Sequence, residues 1–396
     1  MQRIHKLLSK AKQHLASGNR DAAIGTFRSI VAVDPRHLDG NYLLGSLLAE
    51  AGALGEAEHY LKAAADIHPA SPFVWNNLGN VYLLRGDEGQ ALSAWERALA
   101  NDPNLAEAWS NMGLIHHRHG RLDQAEDCMK RSTALRDTPF AWGVLAAIAE
   151  KKGRRDEAAA ICRMILQNVP DHVESRFMLS RLEGAPMEKA PAEMVRSMFD
   201  AYANRFERHL VDDLQYRTPE HLGAMIDRHL GGRRFGQVAD LGCGTGLMAP
   251  FLGSRAESLV GVDLSPKMLE AAASRGLYGR LAEAEIVEFL RTDGGPFELI
   301  VAADVLVYLG DLGALFAAAS AASTSPAWFA LSVERPGPAE AGDWVLRSTG
   351  RYAHSADYLR RCAAAAGWAV VDLAEVVLRN DATGPIAGHV FLMQRG

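Results

Sequence analysis

The chain has 396 residues, 48% of them hydrophobic and 23% charged, with a formal net charge of -6. That length predicts two or three domains with sizeable cores, and the mildly acidic balance excludes a sequence-wide basic footprint for nucleic acid. Cys128, Cys162, Cys243 and Cys362 form neither a C-x-x-C pair nor a metal spacing with histidine, which fits reduced thiols and a cytoplasmic setting. Met1 to Ser17 is amphipathic and charged, so no signal peptide is expected. No run approaches the ~18 apolar residues of a membrane span.

The first half repeats itself. Gly18, Gly52, Gly86 and Gly120 are spaced by 34, with Gly153 33 further on, and Ala23, Ala57, Ala91, Ala125 and Ala158 keep the same steps. Pro35, Pro69, Pro103 and Pro170 close every unit except the fourth, where Arg136-Asp137-Thr138-Pro139 breaks the pattern, and Trp75, Trp109 and Trp142 open three units. A glycine that ends one helix and a proline that stops the next are the marks of stacked helical hairpins. Trp75-Asn76-Asn77-Leu78-Gly79-Asn80-Val81-Tyr82 resembles the first helix of a tetratricopeptide (TPR) repeat. Five repeats are expected over about residues 4 to 172, with a capping helix at Val173 to Leu182, making 1–183 an all-α solenoid.

Stacked repeats leave a concave face lined by their first helices, where a protein or peptide partner would lie; dimerisation is the other use of such an array. Asn77 and Asn111 share a repeat position, with Asn76 and Asn80 nearby, an arrangement that resembles the asparagine ladder of peptide-binding TPR superhelices. His116, His117 and His119 are neighbours along one helix rather than on one face, and no second cluster adds ligands, so no metal site is expected.

Residues 184–192 read as a linker from their prolines, Gly184-Ala185-Pro186 through Pro191. Phe199, Tyr202 and Phe206 then fall on one helical face, a stripe that by itself reads as core. Beyond it, Val238-Ala239-Asp240-Leu241-Gly242-Cys243-Gly244-Thr245-Gly246 reads as a buried strand and a glycine turn, and Val260-Gly261-Val262-Asp263 as a second strand ending in a carboxylate. A dinucleotide fingerprint needs a small residue where Leu247 stands, and Asp240 would repel a pyrophosphate. A cationic, phosphate-free nucleoside suits the pattern better.

These residues resemble the class I methyltransferases dependent on S-adenosylmethionine (SAM). Asp240 matches the acid of their first motif, Gly242, Gly244 and Gly246 its glycines, and Asp263, 23 positions after Asp240, the acid that holds the ribose hydroxyls. The run from Phe199 to Leu210, F-x-x-Y-A-x-x-F-x-x-H-L, resembles a helix folded over the cofactor in several small-molecule methyltransferases, and nearly the whole chain resembles bacterial methyltransferases that carry TPR repeats. By that resemblance Tyr202 approaches the methionine end of SAM, Arg217 pairs with its carboxylate, Leu264 flanks Asp263, Glu285 stands where the family has an aspartate for the adenine amino group, and Ile286 walls the adenine. The resemblance also implies that Ala303 and Asp304, within Ala302 to Leu309, lie beneath the methionine moiety.

The rest of 193–396 alternates strand and helix signals: strands over 237–241, 258–262, 280–284, 299–303, 327–333, 369–378 and 388–393, a helix over 245–252, and an antiparallel final pair. The expected fold is therefore two-domain, a TPR solenoid followed by an α/β Rossmann-like domain with a seven-stranded sheet. Residues 334–352 read as a lid over the substrate, and Tyr308, Glu334 and above all His354 are the candidates for proton transfer at the mouth. The function implied is SAM-dependent methyl transfer to a small-molecule, carrier-bound or peptide acceptor. The alternative is a TPR scaffold whose second half senses SAM or its product without turnover.

Overall fold

The computed structural model describes residues 2–184, 187–203, 206–293, 295–338, 340–381 and 384–396. Ala185 and Pro186 of the expected linker, and Asn204 and Arg205 of the expected lid pattern, lie outside them. The chain divides into two compact units, Met1–Pro170 and Asp171–Gly396.

Among the described residues, the first unit consists of five helical hairpins: α1 (Gln2–Ala16) with α2 (Arg20–Val33), α3 (Leu38–Glu50) with α4 (Leu54–Ile67), α5 (Pro72–Leu84) with α6 (Glu88–Asn101), α7 (Ala106–Arg118) with α8 (Leu122–Leu135), and α9 (Pro139–Lys151) with α10 (Arg155–Asn168). The periodic alanines Ala23, Ala57, Ala91, Ala125 and Ala158 are all fully buried, where only a methyl group fits between helices. The period-34 glycines follow each first helix; Gly86, with φ +81°, takes the left-handed turn that reverses the chain. At Gly79 a Cβ would stand 2.4 Å from Trp95 Nε1, so α5 and α6 touch through the missing side chain. Trp75 and Trp109 donate Nε1–H to the carbonyls of Pro69 (2.7 Å) and Pro103 (2.9 Å); in the fourth unit, which lacks that proline, Trp142 donates to Asp137 Oδ1 (2.6 Å) instead.

The expected asparagine ladder takes a different form. Asn77 donates to Ser46 Oγ (2.8 Å) and Asn111 to Asn80 Oδ1 (3.0 Å), so these amides brace successive first helices, while Asn76 is buried within the array. His119 pairs with Glu88 at 2.5 Å, and no metal-binding group occurs among the described residues.

α11 (Val173–Glu183), expected as the solenoid's cap, belongs to the second unit. Its Phe177 is 4% exposed and packs with Ala190, Val195 and Tyr352. α12 (Ala192–Tyr202) follows, and then the sheet: β1 (Phe235–Leu241), β2 (Ala256–Asp263), β3 (Arg280–Glu283), β4 (Phe297–Ala302), β5 (Ser323–Glu334), β6 (Trp344–Leu346), β7 (Tyr352–His354), β8 (Trp368–Asp381) and β9 (Gly384–Arg395). The order β3-β2-β1-β4-β5 is parallel, β9 pairs antiparallel with β5 and with β8, and helices cover two buried layers on opposite faces. Among the described residues the sheet thus has nine strands rather than seven. The two extra ones are the short hairpin β6–β7, which starts inside the expected lid and ends just beyond it, and β7 joins the edge of β5 at Glu334, just past the end of β4. The helix expected from 245 starts only at Ala249, because positive φ angles at Gly242, Gly244 and Gly246 keep the chain in a turn.

Candidate functional site

A cavity of about 600 Å³ opens at the carboxyl ends of β1, β2 and β4, where parallel sheets receive ligands. Asp240, Gly242, Gly244, Asp263, Leu264, Glu285, Ile286, Ala303, Asp304, Tyr308 and Tyr202 all line it, so residues spread over 107 positions of sequence meet in one place. Gly246, Arg217, His354 and Glu334 do not; Glu334 is 2% exposed and held by Arg347 and Arg379 instead of facing the mouth.

The glycine turn is shaped by its neighbours. A Cβ on Gly242 would come within 2.3 Å of Val305, and its φ is +66°, so only glycine keeps the backbone open here. Asp263 accepts from the amides of Gly244 (2.9 Å) and Ser265 (2.9 Å), which locks its carboxylate to the turn. Asp240 is 1% exposed, and the Tyr278 hydroxyl donates to its Oδ2 (2.6 Å). Burial pushes the Asp240 carboxyl up to about 7, with the Tyr278 hydrogen bond working in the opposite direction. Burial also raises Asp263, against the amides that stabilise its charge. Glu285 caps the helix Ile286–Thr292 through the Glu288 amide (3.0 Å), which holds its carboxylate at the rim.

An aromatic roof covers this end. Phe206 packs edge-on against both Phe199 (5.9 Å) and Tyr202 (5.4 Å), and Phe199 in turn packs on Tyr308 (5.6 Å). The roof is tied down by Asp200, which accepts from the Ser265 hydroxyl (2.5 Å), and by ion pairs Arg196–Glu283 and Glu207–Arg275.

The opposite end is charged. Asp304, in the left-handed region at φ +55°, accepts twice from Arg379 (2.8 and 2.8 Å), and Arg379 also pairs with Glu334. Arg347 binds Glu334 (2.8 Å) and Glu340 (2.9 Å). Arg351 Nη1 lies 3.8 Å from Asp304 and 3.6 Å from Glu334. Burial keeps the Tyr308 phenol above its ordinary value, with Arg351 opposing the rise.

Two expected residues are corrected. His354 is fully buried, hydrogen-bonded through Nε2 with the Gly310 carbonyl (3.0 Å) and stacked on Tyr358; burial drives its imidazole down to about 4. It is a neutral core residue with no face on the cavity. Arg217 is exposed at the start of the helix Thr218–Leu230, where its backbone amide donates to the Leu378 carbonyl (2.9 Å) and its carbonyl accepts from the His221 amide (3.1 Å). The arginines that do reach the cavity, Arg351 and Arg379, carry no local motif that marks them in the sequence.

Residues 2–167 match the family described as the cilia and flagella-associated protein 70 C-terminal domain, of TPR type, and residues 238–323 match the family described as a methyltransferase domain. The general transcriptional corepressor ssn6 of Schizosaccharomyces pombe is 25% identical over 111 residues, 28% of this chain and 10% of that protein. Tetratricopeptide repeat protein 8 of Homo sapiens is 28% identical over 110 residues, 28% of this chain and 20% of that protein. The chain therefore spans a fifth or less of these relatives' length. A solved Burkholderia thailandensis 1,6-didemethyltoxoflavin-N1-methyltransferase, bound to 1,6-didemethyltoxoflavin and S-adenosylhomocysteine, is 20% identical, with coverage of 52% of this chain and 88% of its own and a TM-score of 0.42. No helix among the described residues is long and apolar enough to cross a membrane.

Proposed function

We propose that this chain, a TPR-type repeat region followed by a methyltransferase domain, binds SAM in the β1–β2–β4 cavity and transfers its methyl group. The acceptor is a small molecule, a carrier-bound group or a peptide, and the repeat region recruits a protein or peptide. The observation that supports this most is the convergence of Asp240, the open Gly242 corner and Asp263 around one cavity. A buried carboxylate, a half-buried one and a bare glycine corner fit a cationic nucleoside and disfavour a pyrophosphate.

Asp263 and Leu264 would hold the ribose side, Ile286 and Glu285 the adenine, and Asp240 the ammonium of the methionine moiety, with Tyr202 above it. When bound, SAM supplies a methyl group already activated on a sulfonium. What the chain contributes is alignment and dryness. The roof of Phe199, Tyr202 and Phe206 excludes water from one side, and the Asp304–Arg379–Glu334 cluster fixes the floor on the other. Tyr308, protonated at neutral pH because burial raises it, orients the acceptor as a hydrogen-bonding phenol and does not serve as a phenolate base. No histidine is needed for an acceptor that carries no tightly held proton.

Calorimetry of the purified chain with S-adenosylhomocysteine and with NAD tests the reading. Binding of the first, its loss in Asp263→Ala, and indifference to the second are expected; the reverse preference overturns it. Release of S-adenosylhomocysteine from SAM with an extract as acceptor source separates an enzyme from a sensor.

A further inference from the structure

We infer that the methyl acceptor presents an oxyanion, a carboxylate or a phosphate, to Arg351 at the β4–β5 end of the cavity; this rests on the methyl-transfer reading above. Three guanidiniums and three carboxylates gather there, and their hydrogen bonds are unequally shared. Arg379 is 4% exposed in its side chain and spends Nη1 on both oxygens of Asp304 and Nη2 on Glu334. Arg347 spends its nitrogens on Glu334, Glu340 and the Arg335 carbonyl. Arg351 Nη1 is buried and has no hydrogen-bond partner, because its nearest carboxylate oxygens stand at 3.6 and 3.8 Å.

The placement of Arg351 aims it at a ligand. It follows Gly350, whose φ of +80° turns the chain at the tip of the β6–β7 hairpin, and Thr349, Gly350 and Arg351 all line the cavity. Tyr308 lines the same end, close enough for Arg351 to oppose the rise of its phenol. The polar capacity left over at this end is therefore donor capacity. A cationic acceptor would find Asp304 and Glu334 already engaged by Arg379 and Arg347, whereas an oxyanion finds a guanidinium with a fork to fill. The six charges balance, so an incoming anion meets no uncompensated negative field.

The test uses the full chain saturated with S-adenosylhomocysteine and titrated with four probes of one shape: benzoate, phenyl phosphate, benzamide and benzylamine. Binding of benzoate, phenyl phosphate or both is expected, without the amide or the amine, and Arg351→Met should weaken it about tenfold or more. Preference between the two anions assigns the source of the charge. Arg351→Met should leave S-adenosylhomocysteine affinity unchanged, which also shows that the variant is folded; should it fail to fold, Arg351→Lys takes its place and should weaken benzoate more than phenyl phosphate, since a point charge loses the fork. The inference is overturned if no anion binds, if the amine or amide binds equally well, if the variant keeps full anion affinity, or if it loses the nucleoside and keeps the anion. A wild-type chain that ignores S-adenosylhomocysteine overturns the preceding reading instead, so the two failures are distinguishable.

Discussion

Asp240 has two demands on it: burial favours its neutral form, and a cationic ligand needs its charge. With a carboxyl near 7 in the free protein, binding must drive off a proton at lower pH. Affinity for S-adenosylhomocysteine should therefore rise about tenfold per pH unit well below 7 and flatten above it, and Asp240→Asn should abolish the slope; calorimetry in two buffers of different ionisation heat reads the released proton. The same shift has a stability sign. A raised carboxyl binds more protons folded than unfolded, so the free domain loses stability as pH climbs from the ordinary carboxylate range to about 7, and bound nucleoside should reverse the trend. Arg379 gives a second prediction at this scale. Arg379→Met would leave the buried Glu334 and the half-buried Asp304 without their shared cation, at a cost of about 3–5 kcal/mol, seen as a lower denaturant midpoint.

The residues that were legible in sequence are those whose partners are near in sequence. Asp240, the glycines and Asp263 belong to one strand–turn–strand unit, so spacing alone places them around a common corner. Arg379 lies 75 positions from Asp304, and no periodicity links a strand near the end of the chain to a turn after β4. His354 shows the converse failure. Its unperturbed acidity near neutrality made it attractive as a base, but acidity in solution says nothing about burial, and here burial removed the charge.

Among the elements, helical pairs were legible because 34-residue self-similarity states the same packing problem five times. The solution at each interface is visible in Gly79 and Trp95. Gly79→Ala should force the indole or α5 to move and cost at least the ~1–3 kcal/mol typical of overpacking, measured as a drop in the melting of the helical signal. The hairpin β6–β7 was not legible. Strands of three residues give no alternation to detect, and a stretch rich in proline and glycine reads as loop whether or not three of its residues pair. The start of the helix after the glycine turn was missed because the pattern shows which residues are small and leaves the sign of their φ angles open.

For the whole molecule, the expected boundary at 183 and the observed division after Pro170 make different predictions. Phe177 packs with Tyr352, a Cβ on Gly350 would lie 3.8 Å from its ring, and Arg181 donates to the Ser348 carbonyl. A fragment of residues 171–396 should then unfold as one cooperative body with the cofactor affinity of the intact chain. A fragment of residues 184–396 should be weaker by about 3–5 kcal/mol, the scale of deleting a buried phenylalanine, in chemical denaturation.

The helix Val173–Glu183 thus reads as repeat by its position in the chain and as part of the second unit by its contacts. Any chimera that trades one repeat array for another should be spliced upstream of Asp171. There the repeat array can be exchanged like a tool head while the hairpin tip bearing Arg351 keeps its backing, whereas a join ten residues later would take Phe177 from behind that tip even though every lining side chain is retained.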